Sequence, residues 1–294
     1  MTAASLHRPG PNEAEGARSG ARRPVRPRRV YAAGRLTLGS GLGLGVGMIW
    51  FSLLVLIPLT AVVVKAQSGG WHGYWQTITN AQTWAAIKLT VLQSLLVTLT
   101  SVVMGTLIAW VLVRDHFVGK RALEVLIDIP FALPTIVAGL VLLSLYGPRS
   151  PLGVNIANTE KAVFLALAFV TLPFGVRTVQ PVLEELDLEA EQAAASLGAS
   201  RLTVFRRIVL PSLAPAIGAG AALSFARAIS EYGSLVLLSG NLALRTEVTS
   251  VRILTYVENG NTAAAAAVAS TLLLIALAVI VVVDIIQRRI ARRD

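Results

Sequence analysis

The run from Asn259 to Val283, NGNTAAAAAVASTLLLIALAVIVVV, holds 25 consecutive positions without a charged side chain. A helix rises about 1.5 Å per residue, so this run covers a hydrocarbon core of about 30 Å with residues to spare. Arg288, Arg289, Arg292 and Arg293 follow it as a basic flank. Apolar content of this length and this kind of ending predict a membrane helix.

Working outward, three more windows carry no charge: residues 36–64, 89–113 and 129–148 hold 29, 25 and 20 positions. Two further windows are interrupted: residues 162–183 contain Arg177, and residues 212–238 contain Arg227 and Glu231. The prediction is an all-α polytopic membrane protein with six spans at about 40–64, 89–112, 125–146, 162–183, 212–238 and 262–285. These fall in a transmembrane domain of residues 36–287. Composition agrees: charged residues are 14% of the chain and hydrophobic ones 54%, whereas soluble domains carry about 25% charge. The chain has no cysteine, which excludes disulfides, thiolate metal sites and a thiol nucleophile. Three histidines, His7, His72 and His116, are too few for a multi-histidine metal centre. No metal site and no catalytic residue are expected in this chain.

The net charge of +10 is distributed unevenly. Eight arginines lie in residues 1–35, which lack apolar periodicity and read as a disordered basic tail. Residues 288–294 form a second basic tail. A nucleic-acid binder spreads its cations over one folded face with aromatics between them, so nucleic acid is excluded as a partner and the lipid bilayer is expected. Six crossings put both termini on one side. With the termini inside, the inner segments hold both tails together with Arg114, Lys120, Arg121, Arg177, Arg201, Arg206 and Arg207. The outer segments hold only Lys65, Lys88, Arg149, Lys161, Arg245 and Arg252. The excess of inner cations predicts cytoplasmic termini in a multi-pass protein of the cytoplasmic (inner) cell membrane.

Prolines punctuate the spans, among them Pro58, Pro130, Pro134, Pro173, Pro181, Pro211 and Pro215. Each removes a backbone donor and can kink a helix; a moving gate and plain packing irregularity are both open readings. Gly39, Gly41, Gly43, Gly45 and Gly47 open the first span, either as a close-packing face or as a flexible entry.

Residues 184–211 form the longest polar stretch between spans, on the predicted cytoplasmic side. An acidic first half, Glu184 to Glu191, leads into a helical run of small residues that Gly198 ends as a C-terminal glycine would. Ser200 can cap a second helix over 201–209, with Leu202, Phe205, Ile208 and Val209 as its apolar stripe. Pro211 then marks entry to the fifth span. The predicted element is a pair of helices at the membrane surface, either a docking surface for a soluble partner or an interfacial anchor.

These residues resemble a motif of ATP-binding-cassette importer permeases: Glu-Ala-Ala, three residues, Gly, nine residues, Ile, one residue, Leu-Pro. Here the stretch is Gln192-Ala193-Ala194, then Gly198, Ile208, Leu210 and Pro211 at the same spacing, with Gln192 in place of the family's Glu and Glu191 beside it. Residues from about 40 to 290 are most similar to the T-type permease subunit of bacterial sulfate/thiosulfate importers. The similarity includes the stretches Asp128 to Thr135, Val176 to Leu186 and Ser230-Glu231-Tyr232-Gly233. The resemblance implies that Glu191, Gln192, Ala193, Ala194, Gly198, Ile208, Leu210 and Pro211 couple the chain to ATP-binding-cassette ATPase subunits. It also implies a second permease subunit and an extracytoplasmic sulfate-binding protein, with ATP and magnesium held by the ATPase. No phosphate-binding loop occurs in this chain, since Gly119-Lys120 is followed by Arg121.

Two charges inside the fifth span, Arg227 and Glu231, stand four apart and can meet on one helical face. A self-neutralising packing pair and an oxyanion pathway are both open. With Pro130 and Pro134 they are the candidate pathway residues. A molybdate, tungstate or other oxyanion permease is the alternative within the class. A secondary transporter or channel without ATP coupling is the alternative outside it.

Overall fold

The computed structural model describes residues 38–291, so the predicted N-terminal tail and residues 292–294 lie outside the described residues. Regular structure among them is entirely helical. The chain divides into two units, residues 1–52 and residues 53–294. The described part of the first is an apolar helix, α1 (Leu38–Phe51). A short π-helical segment, Ser52–Leu56, follows it in the chain.

The second unit contains α2 (Ile57–Gln67), α3 (Gly70–Thr79), α4 (Ala81–Arg114), α5 (Lys120–Ala132), α6 (Thr135–Tyr146) and α7 (Glu160–Glu185). It continues with α8 (Leu188–Ser196), α9 (Arg201–Val204), α10 (Leu210–Ile229), α11 (Gly233–Leu238), α12 (Thr249–Glu258) and α13 (Thr262–Ala291). By length and composition five helical runs can cross a bilayer: Gly39–Gln67, Ala81–Arg114, Glu160–Glu185, Arg201–Ile229 and Thr262–Arg289. The pair α5 and α6 makes a sixth if its two halves count as one span.

Helix ends follow caps rather than charges. Asn80 Oδ1 accepts the N–H groups of Gln82 and Thr83 at 3.1 and 3.3 Å, so α4 starts at Ala81 and contains Lys88, not at 89. Thr159 likewise starts α7 by accepting the Ala162 N–H.

Two predicted spans are corrected. The stretch 125–146 is not one helix: α5 and α6 meet at a bend of 115°. Leu133 is extended, at φ −87° and ψ 132°, because Pro134 disfavours a helical residue before it. The stretch 212–238 is not one helix either. α10 ends at Ile229, and α11 starts at Gly233 after Ser230, Glu231 and Tyr232. Pro211 starts no new helix, since the helical run Arg201–Ile229 passes through it. The run absorbs the proline by a π-helical segment, Phe205–Val209, in which the Leu210 N–H bonds the Phe205 carbonyl. A π segment precedes Pro58 at the same two-residue offset.

The bundle of the second unit is built on close backbone approach. A Cβ added at Gly105 would lie 2.6 Å from the Gly175 carbonyl carbon, so α4 and α7 touch main chain to main chain. One turn earlier, Ser101 and Thr171 hydroxyls meet at 3.0 Å. Ser101 with Thr171 and Gly105 with Gly175 advance together, so the two helices run parallel. Apolar clusters fill the bundle on either side of this contact. One includes Leu89, Val97, Leu167 and Leu235; the other includes Leu112, Val179, Leu183 and Leu213.

Candidate functional site

Of the sequence-predicted docking residues, Glu191, Gln192, Ala193 and Ala194 lie on α8 and Gly198 in the tight turn that ends it, while Ile208 lies in the π segment and Leu210 and Pro211 begin α10. Asp187 starts α8 by accepting the Glu189 N–H at 2.8 Å. At the other end Gly198 takes φ +84°, the left-handed region. The Gly198 N–H then donates to the Ala195 carbonyl at 2.9 Å, and the Ala199 N–H to the Ala194 carbonyl at 3.1 Å. These are the two bonds of a Schellman closure. Ala193 accepts the Leu197 N–H at 3.2 Å, so Ala193 and Ala194 supply carbonyls and leave room at their surface. Ser200 caps the next helix by accepting the Thr203 N–H at 3.3 Å.

Exposure divides the predicted apolar stripe. Leu202 is 64% exposed, while Phe205 and Ile208 are half-buried and Val209 is buried. Leu197, at the tip of the turn, is 89% exposed. Gln192 is exposed, Leu210 is exposed and Pro211 is half-buried. Between α8 and the π segment lies a cleft of about 350 Å³ lined by Trp110, Leu188, Glu191, Gln192, Val204 and Phe205 among others.

Glu191 does not share the exposure of Gln192. Its carboxylate forms an ion pair with Arg114 Nη2 at the last residue of α4, with both side chains less than one-fifth exposed. The Arg114 guanidinium also lies 5.4 Å from the Trp110 ring centre. Trp110 in turn meets Phe205 edge to face at 5.5 Å. Arg114 was legible in the sequence only as an inner cation, because pairing across 77 residues leaves no local pattern.

Of the pathway candidates, Arg227 and Glu231 lie at the other end of α10, whose 20 residues cover about 30 Å. Arg227 Nη1 and Glu231 Oε2 meet at 2.5 Å, although Glu231 stands beyond the helix end. Glu231 is 2% exposed, and its Oε1 accepts both the N–H and the hydroxyl of Ser234 at 2.9 Å. One carboxylate therefore ties off the end of α10 and caps α11. Pro130 lies inside α5, half-buried, and Pro134 sits at the α5–α6 bend. The two helix breaks lie side by side: a Cβ at Gly233 would fall 2.2 Å from the Thr135 hydroxyl, and one at Gly139 would fall 2.7 Å from the Ser234 carbonyl oxygen.

A second ion pair escaped the sequence reading. Asp128 accepts from Arg177 Nε at 2.8 Å and Nη2 at 2.5 Å, a two-pronged clasp between α5 and α7. Arg177 Nη1 also donates to Gln180 at 3.0 Å. Among the described residues no group of three or more histidines, cysteines, aspartates or glutamates lies together as a metal site would require.

The family described as "Binding-protein-dependent transport system inner membrane component" matches residues 101–293. The chain belongs to this family. Among curated proteins, the sulfate transport system permease protein CysT of Salmonella typhimurium and that of Escherichia coli K12 are each 43% identical over 231 residues, covering 76% of this chain and 83% of theirs. CysT of Synechocystis is 42% identical over 220 residues, covering 72% of this chain and 77% of its own. Among solved structures, a chain of a bacterial alginate ABC transporter, crystallised with an alginate pentasaccharide-bound periplasmic protein, superposes with a TM-score of 0.71 at 17% identity, covering 85% of this chain and 94% of that one. The MetNI methionine ABC transporter in an inward-facing form gives 0.51 at 19% identity, covering 71% and 95%. The structural likenesses bear on fold, and the fold is that of an ABC permease. As a member of its family the chain is a membrane permease subunit of an importer, with several membrane-crossing helices.

Proposed function

We propose that this permease subunit carries sulfate or thiosulfate across the cytoplasmic membrane, driven by ATP hydrolysed on a separate ATPase chain. The observation that carries this reading is the identity, 43% over 231 residues, to permeases named for sulfate transport. Both termini lie in the cytoplasm, as the inner excess of cations favours. An extracytoplasmic binding protein delivers the anion, and a second permease subunit completes the pathway. Residues 188–211 are the ATPase contact, supported by the exposed Leu197 and Leu202 on a turn closed by Gly198. ATP and magnesium belong to the partner.

In this reading the adjoining helix breaks at Pro134 and Glu231 line the pathway. The α6 half-helix starts at Thr135 with its positive dipole end at the break, which suits an anion, while the start of α11 is already taken by the Glu231 carboxylate. Glu231 fixes Arg227 there, and the remaining guanidinium donors match oxyanion geometry. Alternating access follows when ATPase closure biases one of two bundle packings.

The test is reconstitution of the chain with its permease partner, ATPase and binding protein in lipid vesicles. Sulfate and thiosulfate should each stimulate ATP hydrolysis and enter the vesicles. Stimulation by molybdate with none by sulfate would move the chain to a different oxyanion. Uptake that needs no ATPase subunit would overturn the class.

A further inference from the structure

The surface turn and the bundle are joined at one place. Arg114, the last residue of α4, holds α8 through Glu191. Trp110, one turn earlier on the same face, holds the Phe205–Val209 segment through Phe205. The Arg114 guanidinium lies over the Trp110 ring. Arg114 Nε has no acceptor, so the Glu191 contact and the ring face are what fix this buried cation. Both docking helices are thus attached to one turn of α4. Nine residues before Arg114, α4 lies main chain against main chain on α7 at Gly105 and Gly175.

We infer that Arg114, with Glu191 and Trp110, is a positioning strut that makes the docking turn and α4 move as one body, so that ATPase motion reaches the bundle through α4. The inference rests on reading residues 188–211 as the ATPase contact. It assigns Glu191 a role distinct from that of its neighbour. The Glu191 carboxylate is engaged within the chain, and Gln192, exposed beside it, is left to meet the ATPase as a neutral hydrogen-bonding group. A strut of this kind is stiff because the ion pair is largely withdrawn from water and the planar guanidinium is held on an aromatic face. The packed glycine contact downstream passes displacement on, since close-packed backbones do not compress.

The experiment uses the whole reconstituted complex and the natural absence of cysteine. Spin labels on cysteines at Ala190 in α8 and Val111 in α4, both exposed, report the distance between the two helices with and without ATP. In the parent complex this distance stays the same in both states. In Arg114→Gln it shifts on ATP binding, and sulfate moved per ATP hydrolysed falls about tenfold while basal hydrolysis persists. Arg114→Lys keeps the charge without the planar fork and gives an intermediate ratio. Where Arg114→Gln fails to assemble, Arg114→Lys decides by the same two readouts. A parent distance that changes with ATP overturns the strut, and so does an unchanged transport ratio in the variant. The distance arm needs ATP alone, so it stands whichever anion is carried. Failure of the docking reading shows separately: a cysteine at Leu197 would then react with a water-soluble maleimide as fast in the complex as in the isolated chain.

Discussion

At the scale of single residues, Gly198 and Glu231 carry unlike burdens. Nothing lies within 4 Å of a Cβ added at Gly198, so any effect of substitution there comes from its φ of +84°. A β-branched residue in that conformation costs on the order of 1–2 kcal/mol locally. Gly198→Val should therefore insert and fold yet lose ATPase association, measured by co-purification. Gly198→Asn, which tolerates the left-handed region better, should retain most of it. Normal association in the valine variant would remove the turn from the coupling surface. Glu231 is the opposite case, buried with both oxygens engaged. Glu231→Gln alone strands the Arg227 charge and should destabilise the purified chain by about 3 kcal/mol in thermal unfolding. The double variant Arg227→Gln/Glu231→Gln should recover much of that stability. If it also transports at the parent rate with the binding protein saturated, Arg227 serves packing and not the anion.

At the scale of helices, the breaks matter more than the spans. The α6 and α11 half-helices touch through Gly139 and Gly233, with no room for a side chain on either. Gly139→Val should cost about 1–3 kcal/mol through overpacking, read as a lower unfolding temperature in detergent. Gly73→Ala, where nothing lies within 4 Å of the added atom, should be close to neutral. Spans were legible because a bilayer demands a long apolar run, and charge counting finds such runs. It cannot find where a run bends. Leu133 before Pro134 did carry that signal, since a residue preceding proline avoids the helical region. The α10 break was harder to see: it depends on Glu231 choosing Ser234 as a partner, and an acid three residues before a serine occurs within unbroken helices too. The Gly198 turn and the Ser200 cap were local and so could be read directly. The pairs Arg114–Glu191 and Arg177–Asp128 join residues far apart in the chain, and a single sequence holds no trace of them.

At the scale of the whole molecule, the proposed topology has a direct test. Cysteines introduced at Ser196 should be labelled by impermeant reagents only from the cytoplasmic side, and those at Gly70, Ser150 and Asn259 only from outside. Labelling of Ser196 from outside would invert the orientation and with it the ATPase contact. The α5–α6 bend keeps the count of crossings even only if both halves share one passage, so Ser150 is the informative position. A last consequence belongs to the Phe205–Val209 segment, where the helix carries one residue more per turn than the rest of its run. A single residue turns an α-helix by about 100°. The wider turn takes up that surplus, so Arg201 and Leu202 leave the cylinder at nearly the azimuth that a regular helix one residue shorter would give them, relative to the bundle-facing side of α10. Excising any one of the five residues would regularise the ladder and leave that end pointing almost where it does now, whereas excising one residue from the regular part of α10 would swing it by about 100°, like a compass needle read against the wrong meridian.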